Sequence, residues 1–367
     1  MNQFLSQKFR FYLFISILLV VVVHGYNLNE SYLQPFTIIN EPIRFTTFIE
    51  YWLANGLFRF VVPLLFLISG YLLSYGDSVP YSIRINKKIK TLVIPYLIWS
   101  AFAMTITYYL QLYPNTSQSV LATHLDQLGD SRPYHLLSWG GLVLRWTLFP
   151  IAFQLWFIRC LFVYNVASPL IIKALSVSPK IWFSICTFLW MTTFGMHFIE
   201  GEGLLFFSLG IYIHKIGFNV ETPNQYLQPK YWLIVLLGAS LSKTVLAFYL
   251  KGGVESYLIL SILYKLTVAA ALIVVWFGGN DVVQYFMKRK WFYSISSYSF
   301  IVYALHVPLI NYFSSYVFSH LKHFAFFRLT AFVCIPLIII SFSIIVGIIF
   351  RKVAPKLYGI CTGGRGF

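Results

Sequence analysis

In the stretch FISILLVVVVHGYN (14–27) an imidazole, His24, stands where a long apolar run gives out, with Asn27 just beyond it. Histidine is the side chain best suited to accept a proton near neutral pH. On a helix rising 1.5 Å per residue, Arg10 lies about 21 Å from His24 along the axis. At 100° per residue the two return to within about 40° of one face. One helix face would then carry a cation at one end and a base at the other, a layout suited to a site that spans a bilayer. The plainer reading makes His24 an interfacial polar residue. A second set of candidates is Arg59, which precedes VVPLLFLISGY with its Ser69–Gly70 pair, and the QLWFIR stretch, which brings Gln154, Trp156 and Arg159 within six residues. Ionised groups in an apolar span are costly unless they face a polar cavity or a partner, so such a cluster points to binding. Lys243 and Lys265 also fall within apolar runs, and their flexible stems favour snorkelling to the interface. Arg84, Lys87 and Lys88 in RINKKIK (84–90) fit two readings equally: point charges for phosphates, or a topology signal.

These residues must be positioned by membrane helices. The 367-residue chain is 59% hydrophobic and only 10% charged, where a soluble protein carries about a quarter. Apolar runs predict about ten spans, near 9–27, 57–75, 91–110, 153–172, 181–199, 203–215, 231–250, 256–277, 294–313 and 326–350. The fold expected is an all-α membrane bundle formed by one domain over 1–367. With the N-terminus inside, 17 basic residues face Asp77, Glu221 and Asp281 on the inner side, and six (Arg44, Arg132, Arg145, Lys251, Lys322, Arg328) face eight acids outside. That asymmetry satisfies the positive-inside rule with both termini cytoplasmic. The net charge of +16 is therefore a topology signal, and no nucleic-acid partner is needed to explain it. The first helix lacks an A-x-A-like cleavage site and reads as retained. Cys160, Cys186, Cys334 and Cys361 have no paired spacing, so neither a disulfide framework nor a metal site is expected. The apolar stretch within 111–152 is either interfacial or re-entrant.

Four stretches together resemble acyltransferase family 3, the polytopic membrane O-acyltransferases of polysaccharide modification: ILLVVVVHGYN, VPLLFLISGYLL, PIAFQLWFIR with the SPLI that follows, and SISSYSFIVYALHVPLI. They are spread over the chain in the family's order. The resemblance implies transfer of an acyl group, usually acetyl from acetyl-CoA, to a sugar hydroxyl of a cell-envelope polysaccharide or its lipid-linked precursor. It further implies a multi-pass protein of the bacterial inner membrane with no permanently bound cofactor. By position, His24 matches the family's essential histidine, Ser69 and Gly70 its SG pair, and Arg59 the arginine before it. Arg159 matches the arginine of W-F-[IL]-R, and His306 a histidine of a late helix. The large esterase-like domain of many members is not expected. Two positions depart from the pattern: Leu13 replaces a basic residue eleven positions before the histidine, and Cys160 replaces an aspartate. Arg10 is the expected substitute cation, touching the phosphate-bearing end of the donor. The competing reading is a secondary transporter or glycan flippase, which also uses intramembrane charges.

Overall fold

The computed structural model describes residues 1–27, 34–130, 132–321 and 323–366. Lys322, counted above among the outer basic residues, lies outside them. Among the described residues all regular structure is helical apart from an isolated bridge between Gly195 and Glu200. Seven helices are long and apolar enough to cross a bilayer: Gln3–His24, Phe45–Tyr75, Tyr81–Leu112, Gln225–Tyr249, Val254–Gly278, Ser299–His320 and Phe327–Val353. Phe153–Val166 and Ser168–Val177, bent by 61°, make an eighth if taken as one broken span. The expected count of ten is not reproduced, and the reason is length. Pro179–Met191 has 13 residues and Gly201–Lys215 has 15, short of the ~20 a span requires.

Backbone contact sets the centre of the bundle. A Cβ on Gly70 would meet the Phe207 carbonyl, and one on Gly210 the Leu67 carbonyl. The Val61–Tyr75 and Gly201–Lys215 helices thus pack main chain to main chain, as small residues permit inside a bilayer. Ahead of Val61 the helix is irregular, passing through a π turn at Trp52–Gly56 and a 3-10 turn at Leu57–Phe60. Such turns free carbonyls and re-aim side chains. Lys243 Nζ donates to the Asn55 carbonyl at 2.5 Å, and Arg59 donates to the Asn55 side chain. Lys243 and Lys265 are both buried, so neither snorkels as the sequence suggested. Partners within the bundle replace the interface.

Ser299–His320 is broken at Val307 (φ −110°, ψ 134°), just before Pro308. Proline cannot complete the helical ladder, and the buried carbonyls around the break need donors. Gln154 Nε2 supplies them, lying 3.1 Å from the Val307 oxygen, 3.3 Å from that of Ala304 and 3.4 Å from that of Tyr303. Tyr303 OH donates back to the Gln154 carbonyl at 2.6 Å. The Trp139–Thr147 helix, in the segment left open above, has nine residues. Its end is received by Tyr96 and Ser100, whose hydroxyls donate to Thr147 O (2.9 Å) and Trp146 O (2.6 Å). Those partners lie midway along Tyr81–Leu112, and the chain then returns to pack Phe153 on His24.

Candidate functional site

His24 ends the first helix half-buried, its ring 5.0 Å from that of Phe153 and 5.3 Å from that of His306. His306 is fully buried. Its Nδ1 lies 2.7 Å from the Tyr303 carbonyl and 3.2 Å from that of Val302. Carbonyls only accept, so Nδ1 carries the proton and Nε2 carries the lone pair. That Nε2 is buried without a hydrogen-bond partner among the described residues. The α-helical break and Gln154 therefore hold one imidazole in a fixed tautomer beside the other.

Two cavities meet at His24. One, of about 360 Å³, is walled by His24, Arg59, Trp156, Tyr26, Asp126 and Asn311. The second, of about 350 Å³, shares Val23, His24, Arg59 and Trp156 with it and extends to Trp190, Glu200, Glu202, Tyr264 and Lys265. Glu202 is held by Trp190 Nε1 (2.8 Å) and Tyr264 OH (2.9 Å). Asp126 accepts from Arg145 at 2.6 Å, and Arg145 lies 3.6 Å from Asp130. Asp130, in the loop, has its carboxyl pulled down to about 2, chiefly by the hydrogen bond from the Arg132 side chain. An apolar and aromatic wall with a few convergent polar groups is the make-up of a small-molecule site.

A third cavity, of about 250 Å³, continues toward the N-terminal end of the first helix. Its wall takes Leu13 and Ile17 where the second takes Val20 and Val23, Leu65 and Ser69 after Val61 and Val62, and Phe157 after Trp156. About one helical turn separates the two between Val20 and Ile17 and between Val62 and Leu65, whereas Trp156 and Phe157 are consecutive. Lys88 and Arg365 line this cavity together with Tyr303.

The predicted residues are thus divided. His24, Arg59 and Trp156 form the junction, and His306 and Gln154 stand behind it. Ser69 belongs to the third cavity, one level away from His24, and its hydroxyl donates to Leu65 O at 2.7 Å. Of the basic run only Lys88 reaches a cavity wall. Arg84 pairs with Asp77 (2.8 Å) and Ser168, and Lys87 is exposed. Arg10 bonds Ser296 Oγ (2.8 Å) and Tyr293 O (2.9 Å) and stacks on the Tyr293 ring, outside all three cavities. Asn27 bonds Glu50 and Arg328 O, tying down the chain after His24. Arg159 donates to Leu148 O and lies over Phe198, so it braces the segment that follows the Trp139–Thr147 helix. Sequence reasoning missed Glu200, Glu202, Tyr264, Asp126 and Arg365. The signal for the first pair was present, since EGE (200–202) concentrates two of only 11 acids within three residues.

A family model described as "Acyltransferase domain" matches residues 14–351. The succinoglycan biosynthesis protein ExoH of Rhizobium meliloti (strain 1021) is 26% identical over 320 residues, covering 86% of this chain and 81% of that protein. No solved structure matches the chain.

Proposed function

Since the chain belongs to acyltransferase family 3, the polytopic membrane O-acyltransferases, we propose that it moves an acyl group, acetyl in the simplest case, from acyl-CoA to a hydroxyl of a cell-envelope polysaccharide or its lipid-linked precursor. The relative named for succinoglycan biosynthesis supports a polysaccharide acceptor. The observation that carries the reading is the stacking of cavities along the first helix. Leu13 and His24 are about 16 Å apart at 1.5 Å per residue, a distance on the scale of an extended pantetheine arm. The donor enters by the third cavity and the sugar occupies the cavities that meet at His24.

In the reaction His24 accepts the proton of the sugar hydroxyl as its oxygen bonds to the thioester carbonyl carbon. The oxyanion formed is stabilised by Arg59, which shares both cavity walls with His24. The C–S bond then breaks and the imidazolium returns its proton to the departing sulfur. His306 is not expected to touch substrate; its ring, 5.3 Å from that of His24, packs beside it and positions it. In this reading the Lys-rich end of the bundle faces the cytoplasm of a bacterial inner membrane, and the excess of basic residues on that side supports the orientation. Purified protein given labelled acetyl-CoA and polysaccharide should form alkali-labile labelled ester. Absence of both transfer and thioester hydrolysis would refute the reading.

A further inference from the structure

The tail CTGGRG (361–366) reads as a topology signal, yet it is built into the bundle. Tyr358 and Thr362 are fully buried, and Trp99 Nε1 donates to the Cys361 carbonyl at 2.9 Å. Gly363 and Gly366 adopt positive φ (61° and 88°), where side chains are strained. A Cβ on Gly363 would lie 2.6 Å from Thr91 O, and one on Gly366 would strike Ser297 O. This glycine-dependent contact carries Arg365 inward. Its guanidinium lies 4.7 Å from the Phe300 ring, and Nη1 donates to Thr91 O (2.9 Å) and Thr362 O (3.1 Å). Lys88 reaches the same cavity from another helix, and no carboxylate is among the lining residues. A topology charge needs only to lie on the correct side of the membrane. Two cations drawn into one cavity wall without an acid make a site for an anion.

We propose that Arg365 and Lys88 bind the diphosphate of the nucleotide-linked thioester donor, with the glycine-rich tail fixing the guanidinium at the mouth of the donor cavity. The assignment rests on the acyl-CoA reading above. It supplies the cation that the apolar Leu13 wall lacks and that Arg10, held by Tyr293 and Ser296, does not bring.

The test compares two donors, acetyl-CoA and S-acetyl-pantetheine, which lacks the phosphates, on full-length protein in vesicles of zwitterionic lipid. In Arg365→Ala the KM for acetyl-CoA should rise tenfold or more while that for S-acetyl-pantetheine stays as in the native protein, and Arg365→Lys should recover part of the loss. Lys88→Gln should show the same donor selectivity if Arg365→Ala fails to fold. An unchanged KM for acetyl-CoA, or equal increases for both donors, overturns the inference while leaving the donor reading intact. So does an effect that appears only when anionic lipid is added, which would assign the cations to a lipid headgroup. Native protein that uses neither thioester overturns the donor reading and the inference with it.

Discussion

Gln154 offers a test of how the broken helix serves the site. Gln154→Met keeps length and volume but removes both amide protons from the carbonyls of Tyr303, Ala304 and Val307. Two protons cannot serve three acceptors fully, and the distances of 3.1–3.4 Å exceed the usual 2.9–3.0 Å. Each lost bond therefore falls at the low end of the ~1–3 kcal/mol cost of a buried unsatisfied group, and the whole change comes to about 2 kcal/mol. The melting temperature should drop by several degrees. Activity should fall further than stability, because the freed carbonyls include the one that fixes the His306 tautomer, and small misplacements near a reacting centre cost up to about 100-fold. Gln154→Glu, which keeps the shape but sets an acceptor against three acceptors, should be worse than Met in both respects. Melting in detergent and transfer rates under saturating donor provide the readouts. Native melting and native turnover in Gln154→Met would show that the break needs no donor and that His306 is positioned by something else.

Other outcomes follow from single features. His24→Ala should lose about 10²–10⁴ in turnover, the range of a general base, while melting stays near native because the ring is only half-buried; native turnover would remove His24 from the mechanism. Gly70→Ala should destabilise the bundle by about 1–3 kcal/mol, since its Cβ would lie 2.9 Å from the Phe207 carbonyl carbon. Gly140→Ala, with nothing within 4 Å, is the matched control and should melt as native. Asp130 is depressed to about 2, so its stabilising contact with Arg132 is complete above the ordinary carboxylate value near 4 and is lost as pH falls through about 2. The difference in melting between native protein and Asp130→Asn should accordingly shrink from about pH 5 and close near pH 1, and a difference as large at pH 1 as at pH 5 would contradict the assignment.

Helical class and membrane character could be read from apolar run length alone, but the number of spans could not. Hydropathy averages over Pro169 and the bend at Ala167, and it extends 181–199 into a span although the helix stops at Met191. The short helices are held by packing: Gly201–Lys215 leans on Val61–Tyr75 through Gly210 and Gly70. Lys243 and Lys265 were misjudged for a related reason. Snorkelling is the solution for a lone cation on a lipid-facing helix, whereas a π turn had freed the Asn55 carbonyl for Lys243. Nothing in the sequence around WLANG announces that turn.

The site divides along the same line. His24, Arg59 and Trp156 stand out because their side-chain types are unusual in apolar runs, although Arg59 reaches the junction from the 3-10 turn at Leu57–Phe60. Arg365 was hidden by a correct rule. A basic C-terminal tail satisfies the positive-inside asymmetry, so its charge already had an explanation and invited no second one. Arg10 shows the converse error. It shares a helix face with His24, and periodicity made it the natural cation, but helical side chains lean toward the N-terminus, and here the guanidinium meets the Tyr293 ring and carbonyl before it can reach the cavity. Periodicity orders residues along one element, whereas an anion site collects charge from whichever elements converge on it. The wall at Leu13 and Ile17 is apolar along its own helix, and the cations arrive from Lys88 and from a tail that closes on Thr91 through glycine. A motif position vacated on the first helix can therefore be filled from the far end of the chain, and the place to look for it is the cavity opposite, not the neighbouring turn.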